Sequence, residues 1–226
     1  KGKQAEPKKD KKKAPKQNGT DLLIYNPMED ISLVNKLVTE YSFSKNGALL
    51  SMVSVKKDSV DTVAVSIFTA GKAKADTLML SPGTAKNPVC DEAGQQLAFL
   101  FSQDTGKVKQ YRIMGWNTLQ NDVRTLVDTS ETKFPPSWRV SENQVPKFSE
   151  DGALLYFSTA PRKYPEPKDT ILDEEKVKLD LWSWTDGRLQ PQQLKELDKD
   201  KKQSFMAAYF LKENKIVQLA DTLIDR

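Results

Sequence analysis

A short pattern that occurs three times constrains this chain more than any other feature. It reads KFSEDGALLYFS at residues 147–158, SFSKNGALLSMV at 42–53 and VCDEAGQQLAFLF at 89–101. Each copy places a polar turn ending in Gly (Gly47, Gly94, Gly152) before an apolar run. Asn-Gly and Asp-Gly suit a tight turn between twisted strands, because Gly accepts positive φ. The markers are 47 and 58 residues apart. A unit recurring on that scale is a supersecondary block that must stack on its neighbours to bury its faces.

Alternation and turn signals predict strands over 38–44, 48–55, 62–68 and 75–80 in the first unit, and over 87–91, 95–102, 108–116 and 122–127 in the second. The third is predicted as 146–149, 153–159, 179–184, 189–194, 205–211 and 216–219, with a short helical turn over 170–176. A hairpin of strands 21–26 and 31–37 precedes them all. The third unit thus carries one strand pair too many, which is either an insertion or the closing half of a fourth unit. Residues 131–145, with two prolines and Trp138, are expected as a loop over one end of the structure.

Four-stranded antiparallel sheets repeating about every 45 residues fit the blades of a β-propeller. The expected fold is therefore all-β: a partial β-propeller of about four blades of four-stranded antiparallel sheets. A ring of about 7 blades needs more than about 300 residues, so the chain reads as a piece of a larger ring. The units are 20–37 (partial), 38–83, 84–130 and 131–226 with an insertion.

Residues 1–19 are expected to be a disordered Lys-rich tail or linker. Residues 1–16 hold eight Lys against Glu6 and Asp10, so the rest of the chain, with 27 basic and 29 acidic groups, is nearly neutral. A basic tail can touch nucleic acid or anionic lipid; a solvated linker is the preferred reading, and no nucleic-acid partner is expected. No apolar run approaches the ~20 residues of a membrane span. The chain has no histidine and a single cysteine, Cys90. A Ser-His-Asp triad, a Cys-His dyad and a His-ligated metal site are thereby excluded within it. The nucleophile elbow G-x-S-x-G, the P-loop and G-x-G-x-x-G are absent too. No catalytic residue, metal site or cofactor is expected.

The repeated F-S-x-[DN]-G-x-x-L resembles the blades of TolB-like proteins and of the prolyl oligopeptidase / dipeptidyl peptidase IV family of serine peptidases. WRVSENQVPKFSEDG (138–152), FSTAP (157–161), LDEEKVKLDLWSW (172–184) and KIVQLAD (215–221) extend the resemblance to the amino-terminal propeller of the large secreted members found in Bacteroidetes. The resemblance implies a two-part peptidase in a bacterial periplasm or secreted. In it, this propeller segment gates and positions a peptide substrate for an α/β-hydrolase domain of the same parent chain, which holds the triad and is not in this sequence. It also implies a place for the substrate's amino terminus: dipeptidyl peptidase IV-like members hold it with paired glutamates on a propeller insertion. Asp173, Glu174 and Glu175 are the matching acidic run here, although Lys176 and Lys178 follow directly; a solvated turn is the other reading. Trp138 and Arg162 are expected to line a pocket or the seam between domains. Trp182 and Trp184 are expected on one face of a strand, packed between blades. A free-standing interaction propeller of the TolB type is the alternative from a different functional class.

Overall fold

The computed structural model describes residues 19–27, 30–57, 60–129, 133–165 and 183–223. Their strands form three antiparallel sheets. The first is β1 (Thr20–Asn26), β2 (Ile31–Phe43), β3 (Leu49–Lys56), β4 (Thr62–Thr69) and β5 (Asp76–Pro82), in that order. The second is β6 (Thr84–Cys90), β7 (Gln96–Ser102), β8 (Arg112–Asn117) and β9 (Val123–Val127). The third orders β10 (Trp138–Val140), β12 (Leu154–Pro161), β13 (Phe205–Phe210) and β14 (Lys215–Gln218), with β11 (Lys147–Phe148) also on β12. Among the described residues one helix, α1 (Gln190–Asp200), lies between β12 and β13.

The sheets stack face to face. In β7, Leu97, Phe99 and Phe101 join the core shared with the first sheet, while Ala98 and Leu100 join the core shared with the third. Successive side chains of a strand point to opposite faces. A strand covered on both sides is therefore an unbroken apolar run, which is what QLAFLFS is. The chain is a partial β-propeller.

The three marker turns share one architecture. Ser44 Oγ accepts from Leu49 N–H (2.9 Å) and donates to Asn46 Oδ1 (2.7 Å), which also accepts from Ala48 N–H (3.0 Å). Ser149, Asp151, Ala153 and Leu154 repeat that pattern at 2.6–3.0 Å. In the second copy Asp91 replaces the serine, its Oδ1 accepting from Gln95 N–H (2.7 Å) and Gln96 N–H (2.8 Å). Gly47, Gly94 and Gly152 take φ of 70°, 69° and 65°. The turns also touch across the stack. Asn46 Nδ2 donates to Ala93 O (2.8 Å), Lys45 pairs with Glu92 (2.8 Å), and Gln96 Nε2 donates to Gly152 O (2.9 Å). The repeat is thus both a turn signal and the joint between neighbouring sheets.

Four expectations change, and one open alternative closes. The leading hairpin is not a separate unit: β2 runs unbroken through 31–43 and ties β1 to the first sheet. The break expected at 37–38 is a kink, with Leu37 at φ 60° and a register shift between Val38 and Glu40. Residues 138–140 of the expected loop form a strand, since Trp138 and Val140 are buried and pair with Pro161 and Thr159. The strand expected at 189–194 is the start of α1. Pro191 opens it and Gln, Lys, Glu and Leu favour helix, so Leu194 and Leu197 fall three apart on one helical face. Trp184 sits in a turn, 95% exposed, and not between blades; Trp182 and the rest of the expected strand at 179–184 lie outside the described residues, except Ser183. Finally, β13 and β14 complete the third sheet directly beside β12. The surplus of the third unit is an insertion between its second and third strands.

Candidate functional site

The first strand of the second sheet, β6, is the meeting point of all three sheets. β6 lies against β2 and β3 of the first sheet and against β11 of the third. Polar side chains join these strands into a belt. Glu40 Oε2 accepts from the backbone N–H of Asn87 (2.5 Å), and Asn87 Nδ2 reaches Glu142 O (3.4 Å). Lys86 Nζ pairs with Glu142 Oε2 (2.6 Å) and lies 5.8 Å from the centre of the Tyr111 ring. Glu40 and Asn87 each stand seven residues before their marker glycine, so the contact joins equivalent positions of adjacent units.

Electrostatics concentrate on Glu142. Partial burial pushes its carboxyl up, but Lys86, the Tyr111 hydroxyl and Lys163 more than offset that, and the group sits below its ordinary value of 4.5. Tyr111 moves the other way: burial, and then the neighbouring Glu142 carboxylate, raise its hydroxyl far above the usual phenol range. Glu142 therefore contributes stability that is complete above pH 4.5 and is lost as the pH falls through its lowered folded-state value. Because the Lys86 and Glu142 side chains are more than a third exposed, solvent screens the pair. Glu142→Gln is expected to cost no more than about 1 kcal/mol at pH 7. Urea melts of both proteins at pH 7 and pH 3 check this, the gap closing at the lower pH.

Beside the belt lies a cavity of about 40 Å³ between the segment leading into β8 and the ends of β10 and β12. Its walls include Lys109, Gln110, Tyr111, Arg139, Glu142, Arg162 and Lys163. Arg162 is exposed; with the Gln110 amide turned oxygen-inward, its guanidinium donates to that oxygen at 2.8 Å, and its other flank lies 5.3 Å from the Tyr164 ring. Trp138, by contrast, is a core residue against Phe205, with ring centres 4.8 Å apart. Arg139, the next residue, reaches the cavity. Asp173, Glu174 and Glu175 lie outside the described residues. Reasoning from sequence missed Lys109, Tyr111, Arg139 and Glu142, which come from separated segments. The shared phase of Glu40 and Asn87 was the one available signal for the belt.

Among the described residues no three His, Cys, Asp or Glu side chains gather as metal ligands, and no helix is long and apolar enough to cross a membrane. Cys90 ends β6, where burial raises its thiol and Sγ faces Ser42 O at 3.8 Å.

No family model and no curated protein matches the chain. Several solved structures are similar to it, one of them described as a β-propeller domain. TolB from Acinetobacter baumannii is 10% identical with a TM-score of 0.45, over 89% of this chain and 38% of that one. The β-propeller domain of the trilobed protease from Pyrococcus furiosus is 8% identical with a TM-score of 0.47, over 89% and 49%. The acylaminoacyl peptidase of Pyrococcus horikoshii is 11% identical with a TM-score of 0.43, over 80% and 24%. The chain spans less than half the length of each. Similarity at this level assigns no activity.

Proposed function

We propose that this chain is a non-catalytic propeller segment of a serine peptidase, gating and positioning peptide substrates for an α/β-hydrolase domain of the same parent chain. One observation carries the reading: Glu40 of β2, Lys86 and Asn87 of β6 and Glu142 after β10 link the three sheets in one polar belt, in a chain without a single histidine. Such a belt can steer and select a polar chain, and the chemistry must come from elsewhere. The sequence resemblance supplies the reaction class and a periplasmic or secreted setting. Gating is read by selectivity. In the full-length gene product, Asn46→Ala with Gln96→Ala removes two side chains that join neighbouring turns. That change should raise kcat/KM on a folded protein substrate severalfold and leave a short peptide unaffected. An unchanged ratio of the two overturns gating, and a product without peptidase activity leaves an interaction propeller of the TolB type.

Within this reading Asp173, Glu174 and Glu175 hold the substrate's amino terminus, since carboxylates accept charge-assisted hydrogen bonds from an ammonium group. Glu174→Gln with Glu175→Gln should lower kcat/KM about 10- to 100-fold on a free-amino peptide and spare its acetylated counterpart. Equal losses on both substrates, or none, count against the assignment.

A further inference from the structure

The 40 Å³ cavity beside the belt has more positive charge than the protein uses. Four cations line it, Lys109, Arg139, Arg162 and Lys163, against one carboxylate, Glu142. That carboxylate is already engaged by Lys86 at 2.6 Å and by Tyr111, and Lys163 acts on it only through space. None of the ion pairs among the described residues includes any of the four cations. Lys109 Nζ donates to the Thr84 hydroxyl, a neutral partner.

Arg139 gives the second, independent sign. Its Nη1 donates to the Trp138 carbonyl at 2.5 Å, but its Nε–H is buried and has no acceptor. A buried donor left unpaired costs about 1–3 kcal/mol, more when it is charged. Each such group in a folded protein calls for an explanation, and a bound acceptor is one.

We propose that this cavity is a carboxylate-binding subsite that takes the free carboxyl end of a short peptide. A guanidinium flanked by further cations matches a planar two-oxygen anion. The size sets the limit on what enters: about 40 Å³ holds about three water-sized atoms. The carboxyl group goes in and the rest of the peptide stays outside, over the exposed Pro161 and Arg162. The choice of a peptide ligand rests on the peptidase reading; the presence of an oxyanion site does not.

The test is an amide chemical-shift titration of the full-length protein with N-acetyl-glycyl-glycine, its C-terminal amide and inorganic phosphate. The acid should bind with a dissociation constant on the order of 1 mM, as suits a ligand of this size, moving the resonances of Val140, Ser141 and Arg162. The amide should not bind. Lys163→Gln, an exposed substitution, and Arg139→Gln should each weaken the acid at least ~5-fold. Equal binding of acid and amide, or full affinity in the Lys163→Gln protein, overturns the subsite. Phosphate binding without the acid overturns the carboxylate assignment, and so does the absence of any shift. None of these results depends on whether a hydrolase domain follows, so the subsite and the peptidase reading fail separately.

Discussion

Phe99→Ala should destabilise the protein by about 3–5 kcal/mol, the range for removing a fully buried aromatic ring. Phe99 has no exposed surface and stands mid-strand in β7, on the face turned to the first sheet. Leu49, Val53, Val63 and Val65 of β3 and β4 and Trp116 of β8 belong to the same buried cluster. Those side chains stand on strands pinned by their ladders, so the site collapses poorly and the cavity penalty is kept. Domains of this kind are stable by only about 5–15 kcal/mol. The loss is thus a large share of the whole, and the melt midpoint in urea should fall with an unchanged slope. A cost under about 1 kcal/mol would mean that the first two sheets do not close on each other here.

Gly83→Ala is the second large effect, at about 3 kcal/mol or more. Gly83 is the whole connection between β5 and β6, hence between the first and second sheets. Its φ is 137°, a region closed to L side chains. An added Cβ would stand 2.4 Å from the Ser102 carbonyl oxygen and 3.1 Å from the Phe101 ring. The oxygen belongs to the backbone of β7 and cannot swing away. Moving Gly83 instead breaks its own N–H bond to Asp61 O, at 2.9 Å. Gly47→Ala is the internal control. Its φ is 70°, but nothing lies within 4 Å of its added Cβ, so only the backbone term remains, about 1 kcal/mol. Urea melts of the two variants should differ by at least about 2 kcal/mol; equal costs would remove the steric part of the argument.

Sequence shows the fold where local chemistry and tertiary packing agree. The turns at Gly47 and Gly152 are legible because Asn-Gly and Asp-Gly suit the positive φ they have, and Gly94 is legible by its matching place in the repeat. QLAFLFS is legible because a strand covered on both faces needs no polar alternation. The misses have physical causes. Leu189, Leu194 and Leu197 read equally well as part of a strand or as one face of a helix, and short runs do not separate the two periods. Trp138–Val140 is a strand only because Pro161 and Thr159 face it from 23 and 19 residues on. The unbroken β2 hid behind a left-handed residue, Leu37, which pattern alone reads as a chain break.

The site was less legible than the fold. Arg162 was singled out and lines the cavity, whereas Trp138 beside Arg139 points into the core. Lys86 and Glu142 are 56 residues apart, and their ion pair exists only because β6 and the end of β10 are brought together by stacking. Charge at that separation carries no periodic signal. The 47-residue offset between Glu40 and Asn87 was visible only as a shared phase relative to the marker glycine.

On the proposed function, a reactive serine of the full-length gene product lies outside residues 1–226. The most direct test is to treat the full-length gene product with a fluorophosphonate and map the modified residue by peptide mass spectrometry. One labelled serine is expected, within a G-x-S-x-G sequence and downstream of Arg226. A labelled serine inside residues 1–226, or a gene product that takes up no label at all, would contradict it.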